Sequence, residues 1–151
     1  MRALLQRVSR AGVAVAGEEI AAIDHGLLVF LGIYPQDTVA EVTWLVEKLL
    51  GLRIFADANK PMNQSVVDVA GGVLVVSQFT LAADVSRGKR PGFSAAAPPE
   101  LAQPLYERFL NELRERHGPI ACGRFGADMQ VTLTNDGPVT ILLERPAPAE
   151  T

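Results

Sequence analysis

Leu74-Val75-Val76-Ser77-Gln78-Phe79-Thr80-Leu81 is the stretch whose reading decides the fold. It begins as an apolar, β-branched run suited to a buried strand, then opens into hydroxyl and amide side chains where such a strand would end. Polar groups at that place either pair with backbone as the strand finishes or face a ligand, and for Ser77, Gln78 and Thr80 both readings stand. A second stretch, Asn135-Asp136-Gly137-Pro138-Val139-Thr140, lies beside late β-like segments. X-Pro bonds are the only peptide bonds with ready access to the cis form, and the preceding glycine lets a ligand approach the main chain closely. Taken alone, the pair also reads as a hairpin turn joining strands at 129–134 and 139–143.

Outward from 74–81, the continuous apolar run 27–33 predicts another buried strand, and 3–8 and 13–23 read as short strands broken near Gly12 and Gly17. Thr38-Val39-Ala40-Glu41 has capping-box spacing, and Val42, Leu45, Val46 and Leu49 follow on one helical face, with Gly51 as the stop. After a loop with Asn59, Lys60, Pro61 and Met62, the buried strand spans 73–78. A second helix is expected from Pro98 or Pro99 to about His117, with Leu101, Leu105, Phe109 and Leu113 as its core face and Gly118-Pro119 closing it. From Ala121 the chain reads as β again. The predicted fold is α/β, mixed β-sheets covered by two main α-helices, in a single domain over 1–146 with a motif-free tail at 147–151.

A chain of 151 residues with 48% hydrophobic content has room for one core and no second module. No basic and apolar leader occupies residues 1–16, and no apolar run approaches the roughly 20 residues that span a bilayer, so a cytoplasmic protein without membrane contact is expected. The single Cys122 has no internal disulfide partner and reads as a small packed hydrophobe. A net charge of −3 and a pI near 5.4 have the wrong sign for a protein that grips nucleic acid along a long surface. The one basic cluster, Arg87-Gly88-Lys89-Arg90, is either a solvated loop or a local phosphate clamp.

Familiar catalytic machinery is missing from the sequence. His25 and His117 are the only histidines, and there is no Gly-x-Ser-x-Gly elbow, no His-Glu-x-x-His, no metal-ligand spacing and no Gly-rich phosphate loop. Asp57, Asp68, Asp84, Asp128 and Asp136 are dispersed and read as capping or solvent-facing groups. No metal and no cofactor are expected.

Ser77-Gln78-Phe79-Thr80-Leu81 together with Asn135-Asp136-Gly137-Pro138-Val139-Thr140 resembles the D-aminoacyl-tRNA deacylases of the bacterial and eukaryotic type, usually called DTD. The resemblance extends from Leu5-Gln6-Arg7-Val8 through Gly26-Leu27-Leu28-Val29, Arg53-Ile54-Phe55 and Arg90-Pro91-Gly92-Phe93 to Gly123-Arg124-Phe125-Gly126-Ala127-Asp128-Met129-Gln130-Val131 and the final strand. It implies an ester hydrolase acting at the acceptor end of aminoacyl-tRNA, and a homodimer with active sites at the subunit interface. By the same resemblance Ser77, Gln78, Phe79 and Thr80 line the catalytic pocket, and Phe125 and Met129 hold the terminal adenosine. Gly137 and Pro138, oriented with the help of Arg7, enter the other subunit's pocket and refuse L-amino acids. Two other readings remain open at this point: a non-catalytic module that binds nucleic-acid ends, and a serine or threonine esterase for small esters.

Overall fold

The computed structural model describes residues 1–118 and 120–145. Six strands form one mixed sheet: β1 (Arg2–Val15), β2 (Glu18–Ile23), β3 (Gly26–Gly32), β4 (Gly72–Ser77), β5 (Ile120–Cys122) and β6 (Gln130–Glu144). Two helices, α1 (Val39–Gly51) and α2 (Pro99–Arg116), complete it. The order is β2-β1-β3-β4-β5, with β6 on the other edge of β1; β3, β4 and β5 run parallel and all β1 pairings are antiparallel.

Period-two alternation divides the core into two clusters. Leu27, Val29 and Leu31 of β3 and Val73 and Val75 of β4 pack against Leu45, Leu49, Phe109 and Leu113 of the helices. Leu28, Leu74 and Val76 point the other way, onto Val8, Val13 and Ile23. Burial on both faces is why β3 and β4 read as unbroken apolar runs. The two helices are also tied by a buried polar contact, Thr43 Oγ1–H donating to Glu112 Oε1 at 3.0 Å while Arg108 Nε–H donates to the same oxygen at 3.0 Å.

α1 starts as its sequence predicts. Thr38 Oγ1 accepts from Ala40 N–H at 3.2 Å and Glu41 Oε2 accepts from Thr38 N–H at 2.6 Å, a bond that holds the Glu41 carboxyl below its usual range. Gly51 is the last helical residue. The face expected for α2 is displaced: Leu101 is 50% exposed, and Ala102, Tyr106, Phe109, Leu110 and Leu113 are buried. Four-residue steps drift by about 40° each in a 3.6-residue helix, so a run of every-fourth leucines leaves the core face. α2 ends at Arg116 with His117 as its C-cap and Gly118 in a bend beyond it, while Pro119 and residues 146–151, and with them the domain boundary and the tail, lie outside the described residues.

Two strand expectations are corrected. β1 runs through Gly12 without a break, and the chain reverses only at Ala16-Gly17, where both residues have positive φ (51° and 78°). The segments 129–134 and 139–143 are not two strands of a hairpin. Both belong to β6 and pair with β1 in one direction, from Gln130 opposite Ala14 to Glu144 opposite Arg2. Asn135 faces Val8 and Thr140 faces Gln6, so Asp136, Gly137, Pro138 and Val139 stand against Arg7 alone and bulge from the ladder. β1, 14 residues long, offers both segments a partner in one direction.

Gly26 and Gly72 begin the parallel pair β3 and β4, and a Cβ on Gly26 would lie 1.9 Å from Gly72 O. Gly26→Ala is expected to destabilise the fold by about 3 kcal/mol or more. Gly51→Ala, where a Cβ meets nothing within 4 Å, is expected to stabilise it by about 0.5 to 1 kcal/mol. Urea midpoints of the two variants should move in opposite directions from that of the parent.

Candidate active site

β4 ends where its ladder runs out. Ser77 pairs with Leu31, Gln78 N–H still donates to Leu31 O at 2.8 Å, and the chain then tightens into one 3-10 turn, Phe79–Ala82. Gly32 gives the turn its place: a Cβ there would stand 2.9 Å from Leu81 Cβ and 3.2 Å from Gln78 O. The first N–H groups of such a turn have no partner within it. Among the described residues nothing accepts from Phe79 N–H or Thr80 N–H.

The turn borders a cleft of about 580 Å³. Ser77, Gln78 and Phe79 line it, facing a segment that contains Phe93 and Ala96 to Pro99, while Phe125 and Met129 contribute from the stretch between β5 and β6. Phe79 is 56% exposed and meets Phe93 edge-on, ring centroids 5.2 Å apart. Phe125 leans on Tyr106 at 5.6 Å. Burial, then the neighbouring Cys122, pushes the Tyr106 hydroxyl far above the usual phenol range, so it stays neutral and donates to Val75 O at 3.4 Å. Gly123 makes room for Met129, whose Sδ lies 2.7 Å from where a Cβ on that glycine would be.

Thr80 is exposed, does not line the cleft, and accepts through Oγ1 from Gln78 Nε2–H. Neither histidine reaches it. His117 is buried at the end of α2 with Nε2–H donating to Gly71 O at 2.7 Å, and His25 stands 3.9 Å from Asp136. Among the described residues no group of three His, Cys, Asp or Glu side chains is placed to hold a metal. Cys122 is half-buried against the helix cluster.

The remaining candidates form a second cluster. Arg7 pairs with Leu27 of β3, four residues before the Leu31 that faces Ser77, which is about 13 Å along the sheet. Its Nε–H donates to Asp136 O at 2.8 Å and its Nη1–H to Ile54 O at 2.6 Å. Asn135 clamps the bulge from the other side, accepting from Val139 N–H at 2.8 Å and donating to Val139 O at 3.1 Å. Between these clamps the Gly137–Pro138 peptide is cis and both residues are exposed. A Cβ on Gly137 would fall 2.5 Å from Val139 N, so only glycine fits. The structure thus gathers Ser77, Gln78, Phe79, Phe125 and Met129 around one cleft and holds Arg7, Gly137 and Pro138 apart from it.

Sequence reasoning did not single out Asn135 as a clamp, or Gly32 and Gly123 as the positions that shape the cleft. Asn135 stood inside a quoted motif. Glycines that admit a neighbour across the fold carry no local signal.

A family model described as D-Tyr-tRNA(Tyr) deacylase matches residues 4–144. The D-aminoacyl-tRNA deacylase of Pseudomonas fluorescens (strain Pf0-1) is 55% identical over 95% of this chain and 99% of its own length. That of Methylibium petroleiphilum is 59% identical over 95% of this chain and 94% of its own. Among solved structures, one named c-Myc DNA Unwinding Element Binding Protein superposes with a TM-score of 0.92 at 48% identity, covering 97% of this chain and 100% of that one. A probable eukaryotic D-amino acid tRNA deacylase shares the fold, with a TM-score of 0.80 at 20% identity, covering 94% of this chain and 97% of that one. The class is therefore a hydrolase of ester bonds built on a single α/β domain with a mixed sheet. Within that class, the chain belongs to the D-aminoacyl-tRNA deacylase family, whose substrate is D-aminoacyl-tRNA. No helix among the described residues is long and apolar enough to cross a membrane.

Gly32→Ala is expected to keep the fold while displacing the 79–82 turn. The outcome to look for is a tenfold or greater fall in the rate of D-tyrosyl-tRNA hydrolysis, with circular dichroism and oligomeric state unchanged; an unaltered rate would mean the turn's position is unimportant.

Proposed function

We propose that the cleft hydrolyses D-aminoacyl-tRNA using main-chain N–H groups and a water, and that Gly137-Pro138 of a second copy excludes the L form. The observation that carries this reading is the placement of the bulge: it is exposed, clamped by Arg7 and Asn135, and about 13 Å along the sheet from its own cleft. A backbone hook set apart from its own pocket suits the pocket of a partner, and hence a homodimer.

In the proposed reaction, Phe125 and Met129 hold the terminal adenine by stacking and apolar contact. The Phe79 and Thr80 N–H groups receive the developing oxyanion, each contributing about 2.7 to 4 kcal/mol by analogy with other oxyanion donors. Gln78 N–H is not available for this, since Leu31 O already takes it. Water, assisted by the ribose 2′-hydroxyl, attacks the ester carbon; the bond to the ribose 3′-oxygen breaks and that oxygen gains a proton. Thr80 has no base beside it, so its hydroxyl is a poor nucleophile.

Selection is steric. The Gly137 and Pro138 carbonyls bind the substrate amino group and fill the space an L-configured Cβ would need, while a D side chain points away. Glycine has no Cβ to exclude, so glycyl-tRNA, including glycine misattached to alanine tRNA, is also a substrate in this reading. The cytoplasm, where aminoacyl-tRNA is made and used, is the compartment such editing requires. The second reading, a nucleic-acid-end binder without turnover, draws support from the printed name of the 48% identical solved structure.

Incubation with D-tyrosyl- and L-tyrosyl-tRNA separates these ideas. Release of D-tyrosine at least about a hundredfold faster than L-tyrosine is expected; binding of both without release would favour the binder, and equal hydrolysis would sink the filter. Thr80→Ala should stay within about tenfold of the parent, whereas a tRNA ending in 2′-deoxyadenosine should lose about a hundredfold or more. The reverse pattern would reinstate a side-chain nucleophile.

A further inference from the structure

We propose that the loop from Asp84 to Gly92 is a phosphate-binding arm, seating the RNA strand that leads to the terminal adenosine so that the cleft favours esters carried on RNA over the same esters on a lone nucleoside. This rests on the reading of the cleft as the seat of an aminoacyl-tRNA end.

The arm is a built feature. Asp84 N–H donates to Gly92 O and Gly92 N–H to Asp84 O, both at 2.8 Å, closing the loop at its base. Gly88 turns the tip with φ +63°, where a side chain would be strained. Arg87, Lys89 and Arg90 project from it, all exposed. None of the three meets a carboxylate among the described residues, and neither does exposed Arg124 beside Phe125, whereas Arg2, Arg7, Arg10, Arg108, Arg116 and Arg145 each do. The one acid in the loop, Asp84, accepts from Ser86 N–H at 2.9 Å, and its hydrogen bonding with Ser86 keeps the carboxyl below the usual range. It therefore remains a single negative charge at the base, set against three positive ones.

Position links the arm to the chemistry. Phe93, the first residue beyond the closing pair, lines the cleft and touches Phe79. Arg90 is three residues from Phe93, a reach of at most about 10 Å, which is close to the Debye length at 0.1 M salt. The Phe93 side of the cleft is the side on which this arm meets the phosphates of an RNA whose last base lies in the cleft. The whole chain bears a net charge of −3, and Arg87, Lys89 and Arg90 form its densest run of positive charge. Exposed cations on a loop position a backbone and read no sequence. The arm should accordingly act on every acceptor end alike.

The test replaces Arg87, Lys89 and Arg90 together by Gln, exposed positions whose change leaves the core intact. Hydrolysis of D-tyrosyl-tRNA and of D-tyrosyl-adenosine is followed across salt concentrations, and an unacylated RNA hairpin ending in CCA is titrated by fluorescence anisotropy. At low salt the loss of kcat/KM on the tRNA should exceed the loss on the adenosine ester at least tenfold. The slope of log affinity for the hairpin against log salt should shrink by about 0.7 per lost contact, up to about 2 for all three. Parallel loss on both substrates, or an unchanged salt slope, overturns the arm. Should the parent hydrolyse neither ester while the hairpin slope still shrinks, the arm stands and the deacylase reading fails; D-selective hydrolysis with an unchanged variant condemns the arm alone.

Discussion

The parallel ladder between β3 and β4 ends at Leu31 and Ser77, and the site exists because it ends there. Gln78 N–H is the last group that Leu31 O can satisfy, and beyond it the chain must either find new partners or leave its N–H groups open. The 79–82 turn does both. It closes its own later bonds, Leu81 N–H to Gln78 O and Ala83 N–H to Thr80 O, and among the described residues nothing accepts from Phe79 N–H, at the edge of an apolar cleft, or from Thr80 N–H next to it. Open donors are costly unless water or a ligand takes them.

The turn that borders the cleft has only the stiffness of the fold behind it. β3 and β4 are buried on both faces, one against the helices and one against β1 and β2, so the strand that carries the turn cannot shift without disturbing two clusters. The Gly137-Pro138 bulge is held by different means. It lies outside the β1 ladder, and side chains replace the missing pairs: Arg7 reaches Asp136 and Ile54, while Asn135 closes a two-way bridge with Val139. Charge-assisted and paired amide bonds of this kind over-determine a short segment that would otherwise fray.

Much of the fold could be read locally. The capping box at Thr38 and Glu41 and the apolar spacing through Leu49 specify α1 by contacts within a few residues, and the doubly buried β3 and β4 announce themselves by composition. Where the reading erred, the deciding contact was remote. Leu101 has the spacing of a core residue and stands half in solvent, because the drift of the helix and the position of the sheet choose Ala102 and Tyr106 instead. Gly137-Pro138 has turn chemistry, yet both flanks pair with β1 and the turn becomes a bulge. Of the cleft residues, Ser77, Gln78 and Phe79 stood in the first motif and Phe125 and Met129 in a separate block of the resemblance; the glycines that let Leu81 and Met129 pack carried no signal, since their role is an absent Cβ facing a distant neighbour.

By itself the sequence determined the element types, the absence of triad-elbow, zincin and phosphate-loop motifs, and the two motifs that mark the family, because these depend on residue identity and short-range spacing. Only the tertiary structure decided that Ser77, Gln78, Phe79, Phe125 and Met129 share one cleft and that Arg7, Gly137 and Pro138 stand together elsewhere. Sheet register brings residues from opposite ends of the chain into contact or keeps them apart, and register is a property of the pairing of whole strands, which no single stretch contains.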